Sequence, residues 1–353
     1  MKKTVLTDGS SSPQQCRALP AGMNTARDAR YPAIDLTKFI LSFFICMIHI
    51  VPLDLKGEIW DGLNFWLQNY LCRIAVPYYF AAAGFLLFRK MTPDQLDPDR
   101  IKNYCLKLLR LLGTWWMLLF VGSPGHLWFF SAVIIAVLLV SLLLRTSMRL
   151  NVIGVIVLLL YFIGLLGDSY HSLLTPLQQN PFIGKVLEFY LILFASTRNG
   201  VFFGAVYVFM GAVIAFRRKA LPKHVSVAGL ILSMCALAVE VFLLRSYAQP
   251  LDYNMLICLL PATFFLMQLT ICSRIESRPI YKKLRIIGLL IFFLHLFVKF
   301  FVGHFIVVAK ESIGIDLTPV RLLITVVVTG LAAVIIERLS GRKGFRWLRY
   351  LFS

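Results

Sequence analysis

Long apolar runs alternate along the chain with shorter polar stretches rich in Lys and Arg. Ten runs approach the roughly 20 residues that a helix needs to cross a bilayer's hydrocarbon core. They cover 32–53, 70–88, 106–121, 127–144, 151–167, 199–216, 224–244, 253–272, 286–303 and 318–337. The third is the weakest: it is short and ends at Ser123-Pro124-Gly125, a tripeptide that reads as a tight turn into the fourth. The pattern predicts an all-α integral membrane protein of about ten transmembrane helices, with no internal repeat and no second domain. Lys2 and Lys3 are followed by Ser-, Gly-, Gln- and Pro-rich sequence and no apolar stretch, which speaks against a cleaved signal peptide. Residues 1–30 are expected to form a flexible cytoplasmic tail, 31–340 the membrane domain, and 341–353 a basic cytoplasmic tail.

Composition agrees. Of the 353 residues 59% are hydrophobic and 15% charged, with a mean hydropathy of +0.79. Soluble domains run at about 45–50% and about 25%, so a soluble enzyme and a disordered chain are both excluded. A net charge of +19 would point to nucleic acid in a soluble protein. Sorted by position, however, 27 of the 36 basic residues fall in or beside alternate inter-run segments and the two tails. The positive-inside rule then places both termini in the cytoplasm of a multi-pass protein, a bacterial plasma membrane being the expected location. The charge marks topology, the partner is the lipid bilayer, and no nucleic-acid partner is implied. The seven cysteines show no metal-ligand spacing, and no metal is expected.

Ionisable side chains at membrane depth are costly and usually functional. Lys38 and His49 share the first run, eleven residues apart. That is three helical turns plus about 20°, so they lie on one face about 16 Å apart in depth. Asp35, Ser42 and Cys46 fall near the same stripe. Other runs bring polar groups to the outer level: Arg73 before Val76-Pro77, His126 and Trp128, Arg198 and Asn199, Glu240, and His295 with Lys299 one turn on. Singly, each has an ordinary role as an interfacial anchor, a snorkelling chain or an interhelical hydrogen bond. Together they predict a polar cavity in the outer half. A neutral His can take a proton from a hydroxyl and return it. Arg and Lys beside it can bind carboxylate or phosphate, or steady an oxyanion. A Lys at the opposite depth can meet an anionic donor from the cytoplasm. Group transfer and transport of an anionic solute both fit these residues.

Five blocks narrow the choice. RYPAIDLTKFILSFFICMIHI (30–50), with its basic residue eleven positions before a His, resembles the first helix of the acyltransferase-3 superfamily of membrane O-acyltransferases. RIAVPYYFAAAGFLLFRK (73–90), GHLWFF (125–130), TRNGVFFG (197–204) and LRIIGLLIFFLHLF (284–297) are similar to further blocks of that superfamily, in the same order. Gly288 stands where a Ser is usual, and Lys38 where Arg is frequent. Lys binds phosphate as a point charge and not as a bidentate fork. Within the superfamily, DSYHSLL (168–174) and the TRNG block look most like the membrane domain of membrane-bound serine racemases of the vancomycin-resistance type, with no racemase domain in this sequence.

The resemblance implies transfer of an acyl group, commonly acetyl, from cytoplasmic acyl-CoA to a hydroxyl of an extracytoplasmic glycan or other cell-surface molecule. Acyl-CoA is then a co-substrate, and no bound cofactor is expected. It assigns His49 as the catalytic residue and Lys38 as its partner toward the donor. Arg73, His126, Trp128, Arg198, Asn199, Glu240 and His295 are the donor- or acceptor-binding candidates. The alternative is a transporter for a small amino acid such as serine, since the membrane half of those racemases has been regarded as an uptake domain. Against it, the two halves do not align, and no Gly/Pro break lies at midplane depth.

Overall fold

The computed structural model describes residues 31–51, 55, 57–118, 127–193, 196–248, 250–273 and 275–353. Thirteen α-helices form its frame: α1 (Pro32–His49), α2 (Glu58–Asn69), α3 (Ala75–Phe88), α4 (Pro98–Leu118), α5 (Trp128–Arg145) and α6 (Leu150–Leu165) come first. They are followed by α7 (Thr175–Gln178), α8 (Pro181–Leu193), α9 (Ala205–Arg217), α10 (Lys223–Leu243), α11 (Leu259–Cys272), α12 (Pro279–Ile313) and α13 (Arg321–Leu339). Among the described residues no strand occurs, and a lone bridge joins Thr92 to Gln95 in a turn.

Among the described residues seven stretches are long and apolar enough to cross a membrane: Pro32–His49, Glu58–Phe88, Trp128–Arg145, Gly200–Arg217, Lys223–Ala248, Pro279–Ile313 and Thr318–Leu339. α6 and α11 are apolar but shorter. The chain is thus an all-α, multi-pass membrane protein, and nine of the ten expected runs are apolar helices. The third run differs. It belongs to α4, which begins at Pro98 and carries Lys102, Lys107 and Arg110 among its apolar positions. Ile101, Leu108, Leu111 and Trp115 form its buried stripe, while Lys107, Arg110 and Trp116 face outward. α4 is therefore amphipathic and is not one of the apolar spans. Two further helices, α2 and α8, lie where connecting segments were expected. The expected tail at 1–30 and the Ser123-Pro124-Gly125 turn lie outside the described residues. The 341–353 segment is seated against α4, where Trp115 Nε1 donates to the Leu351 carbonyl at 2.9 Å and Arg110 donates to that of Ser353.

At the centre, α3 packs along α9. Small residues drive this contact, since apolar burial alone does not draw helices together in lipid. Ala81, Ala82 and Ala83 are buried in α3. A Cβ on Gly84 would stand 2.1 Å from the Val208 carbonyl oxygen, and one on Gly211 2.0 Å from that of Ala81. The backbones touch because those two positions have no side chain. A second pair, α1 on α12, explains the unusual Gly288: a Cβ there would lie 3.2 Å from Phe39 Cα.

Candidate functional site

α1 ends where the site begins. Pro32 opens the helix with its φ already set, and the chain turns extended at Ile50, so His49 is the last helical residue. The final carbonyls of a helix have no partner within it. Here side chains supply one: Gln68 Nε2 donates to Met47 O at 2.9 Å, and Lys299 Nζ to His49 O at 2.5 Å. α2 and α12 thereby hold the end of α1, and with it the imidazole of His49.

The ring of His295 lies 5.3 Å from that of His49, centre to centre, tilted by 34°. His295 is fully buried in α12, and its Nδ1 donates to the Phe292 carbonyl at 2.8 Å. That bond keeps the proton of the neutral ring on Nδ1 and leaves Nε2 as the basic nitrogen. His49 lines a narrow cavity with Ile45, Ile48, Val76, Tyr79, Trp128, Phe129, Phe203 and Phe292. Its polar lining consists of His49, Arg73, Arg198 and Asn254, apart from the Tyr79 hydroxyl and the Trp128 indole.

The two arginines meet on one loop. Arg73 donates to Asn69 Oδ1 at 2.6 Å, to Asp252 Oδ1 at 3.0 Å and to Asn254 Oδ1. Arg198 donates to Asn254 Oδ1 at 3.2 Å, lies 3.9 Å from Asp252, and stacks 4.8 Å above the Trp128 ring. Asp168 fixes the loop from behind, accepting from the backbone amides of Asn254 (3.0 Å) and Met255 (3.1 Å) and from Ser169 Oγ (2.9 Å). Burial raises the Asp168 carboxyl above the usual carboxylate range, against the pull of the Met255 amide. Burial opposes the ionisation of Asp252 too. There Arg73, the Tyr253 amide, Asn254 and Arg198 prevail and hold the carboxyl below its ordinary value.

Lys38 lies deeper on α1. Tyr79, a wall of the cavity, donates its hydroxyl to the Lys38 carbonyl at 2.5 Å, and Lys38 Nζ sits 5.9 Å from the Tyr79 ring centre. One turn below, Asp35 opens onto a recess with Arg89, Arg278, Lys282 and Arg285. Tyr79 therefore joins the histidine cavity to Lys38, and Lys38 stands above a basic mouth at the opposite end of α1.

Of the residues expected from sequence, His49, Arg73, Trp128, Arg198 and His295 come together, with Lys38 beneath them. Asn199 and Glu240 require correction. The Asn199 side chain caps the turn that starts α9, its Oδ1 accepting from Val201 N and Phe202 N. Glu240 takes the amides of Ile257 (2.6 Å) and Cys258 (2.8 Å) at the start of α11, together with the Tyr170 hydroxyl. Both satisfy unpaired amides at helix N-termini and are spent on structure. His126 lies outside the described residues. Asp252, Asn254, Asp168 and Tyr79 were not foreseen. Their traces in the sequence were Asp252-Tyr253-Asn254 at the edge of the 253–272 run, the DSYHSLL block that Asp168 opens and the 73–90 block that holds Tyr79.

Fold and site together define an all-α multi-pass membrane protein with a cavity lined by one histidine and two arginines, a second histidine packing against the first. The chain is similar to the serine/alanine racemase of Enterococcus gallinarum, at 28% identity over 265 residues, which are 67% of this chain and 36% of that protein. It is also similar to two amino-acid racemases of Enterococcus faecalis. One is 27% identical over 53% of this chain and 29% of its own length; the other is 25% identical over 71% and 37%. The chain thus spans about a third of the length of the curated relatives it matches. No family model matches, and no solved structure matches.

Proposed function

We propose that this protein is a membrane O-acyltransferase. The observation that carries the reading is the pairing of His49 and His295 at an aromatic-walled cavity, with Lys38 and Tyr79 leading from it toward a basic recess. An acyl-CoA enters at the recess, where Arg89, Arg278, Lys282 and Arg285 suit its phosphates. The acceptor, a hydroxyl of a cell-surface molecule, enters from the outer side. His49 takes the hydroxyl proton as the oxygen attacks the thioester carbonyl. The C–O bond forms, the C–S bond breaks, and the proton passes from His49 to the departing thiolate. Arg73 lines the same space and orients the acceptor beside His49. His295, with its proton fixed on Nδ1, supports the positive charge that His49 briefly carries.

The test is transfer of label from acetyl-CoA to membrane components by native protein and by His49→Ala in vesicles. The expected result is loss of transfer in the variant, by about 10²–10⁴-fold, as for removal of a general base. Unchanged transfer by a folded His49→Ala protein would overturn the assignment. A second reading, a small amino-acid transporter, draws on the relatives named serine/alanine racemase and amino-acid racemase. Uptake of labelled serine into proteoliposomes without any acyl-CoA would support it instead.

A further inference from the structure

Arg73 is nine-tenths buried, with its side chain 10% exposed. Its two terminal nitrogens are taken by Asn69, Asp252 and Asn254, but its Nε has no hydrogen-bond partner among the described residues. An unmet donor on a buried charged group is among the costlier polar defects, so its presence beside a cavity points to an acceptor that arrives with a ligand. Arg198 stands on the same cavity, 34% exposed, and among the described residues its side chain makes one hydrogen bond, from Nη1 to Asn254. Asp252 is the carboxylate that both guanidiniums face directly, while Asp168 stands behind the loop, its Oδ1 accepting from the Asn254 and Met255 amides and from Ser169 and its Oδ2 from Asn254 Nδ2. Two guanidiniums thus have one directly paired carboxylate between them, and the open Nε of Arg73 and the part-exposed Arg198 fork can take the carboxylate of a ligand.

We propose that this end of the cavity is a carboxylate subsite. The acceptor's carboxylate takes hydrogen bonds from Arg73 Nε and from Arg198, and a hydroxyl on the same small molecule is thereby presented to His49. The ligand class is the small hydroxy acid, hydroxy amino acids included. A guanidinium pair is suited to a planar, bidentate oxygen pair, and Trp128 beneath Arg198 keeps its fork oriented. The subsite deepens the acyl-transfer reading by naming the acceptor, and it rests on that reading only for the fate of the hydroxyl.

Binding to the full chain in lipid nanodiscs, without any acyl donor, tests it. The probes are L-serine and glycolate, ethanolamine (the same hydroxyl without a carboxylate) and inorganic phosphate, read by ligand-induced thermal stabilisation. L-serine and glycolate are expected to stabilise the protein, and ethanolamine is not. Because Arg73 also ties α3 to the loop at 250–258, its variants report on folding as well as binding, so Arg198 carries the test. Arg198→Gln is expected to weaken the carboxylate probes about tenfold, equivalent to about 1.4 kcal/mol, and Arg198→Lys to restore part of the loss. Equal binding of ethanolamine, no binding of either carboxylate, tighter binding of phosphate, or an indifferent Arg198→Gln would each overturn the subsite. Adding labelled acetyl-CoA separates it from the reading it rests on. Carboxylates that bind but are never acylated leave the subsite and remove acyl transfer. Acyl transfer to neutral alcohols that no carboxylate inhibits leaves the transfer and removes the subsite.

Discussion

Asp252 is where the chemistry of single residues can be read most directly. Its carboxyl is held low because Arg73 and Arg198 face it, and a folded value below the unfolded one has a definite sign. The pairing contributes fully above the ordinary Asp value of about 3.9 and is lost as pH falls through the lower, folded value. Acid should therefore loosen the Arg73 loop before it reaches the apolar core. Thermal unfolding in detergent from pH 6 down to pH 3 is expected to show this acid-side loss in native protein and a flatter profile in Asp252→Asn. Asp252 is 43% exposed, so the difference stays below about 1 kcal/mol by solvent screening. Parallel profiles for the two proteins would show that the pair contributes nothing. The sequence made His49, Arg73, Trp128, Arg198 and His295 legible because each is polar where lipid or apolar packing is the alternative. It misassigned Asn199 and Glu240 for a physical reason: a polar residue at a helix end serves a cavity or its own backbone amides equally well, and spacing does not distinguish them. Asp252 and Asn254 were hidden because a loop residue acquires its role only from the partners that tertiary structure brings to it.

Among the elements, the α3–α9 pair sets the distance between the site's two arginines. Arg73 lies in the turn two residues before the first and Arg198 just before the turn that leads into the second, so the crossing of the two helices fixes how both guanidiniums meet Asn254. The crossing depends on Gly84 and Gly211, where even one added methyl would stand about 2 Å from the facing carbonyl. Gly211→Leu has no flexible neighbour to displace, only the backbone of Ala81 and Phe85. The helices must separate, and the expected cost is at least the 1–3 kcal/mol typical of overpacking. Gly113→Leu, on the open face of α4 with nothing within 4 Å, is the matched control and is expected to be near neutral. Detergent thermal midpoints that fall alike for the two variants would show that the crossing is not set by these contacts. Elements were legible wherever the apolar run was long. α2 and α8 escaped because a helix of 12 or 13 residues with scattered polar positions resembles a connecting segment when only hydropathy is read.

For the whole molecule, the directions of α1, α3, α5 and α9 follow from the site without reference to charge. The cavity collects the end of α1 and the starts of α3, α5 and the turn leading into α9, so these last three run away from it. α3 runs to Arg89, which lines the basic recess at the other end of α1. The chain leaves that recess level near Arg89 and is back at the cavity level by Trp128, and α4 is the described helix between them. Its 21 residues span about 31 Å, enough for the hydrocarbon core. α4 therefore carries the chain at least part of the way across the bundle's depth despite its charges. Stacking agrees: Trp115, near its end, and Phe130, near the start of α5, both lie flat on Phe293, at 4.5 and 4.9 Å. The C-terminal segment meets α4 through Arg110 and Trp115, which gives part of its polar face a partner other than lipid. A sidedness experiment decides the point. Asp94 in the turn before α4 and Thr146 after α5 are both exposed. In protein whose native reactive cysteines are replaced, Asp94→Cys and Thr146→Cys are expected to be labelled by a membrane-impermeant thiol reagent from the same side, the cytoplasmic one, because two crossings separate them. Labelling from opposite sides would leave α4 outside the bilayer's span and reverse every helix after it. The basic residues would then lose their common face, since Arg89 and Lys90 before α4 and Arg145 and Arg149 after α5 would lie across the membrane from one another.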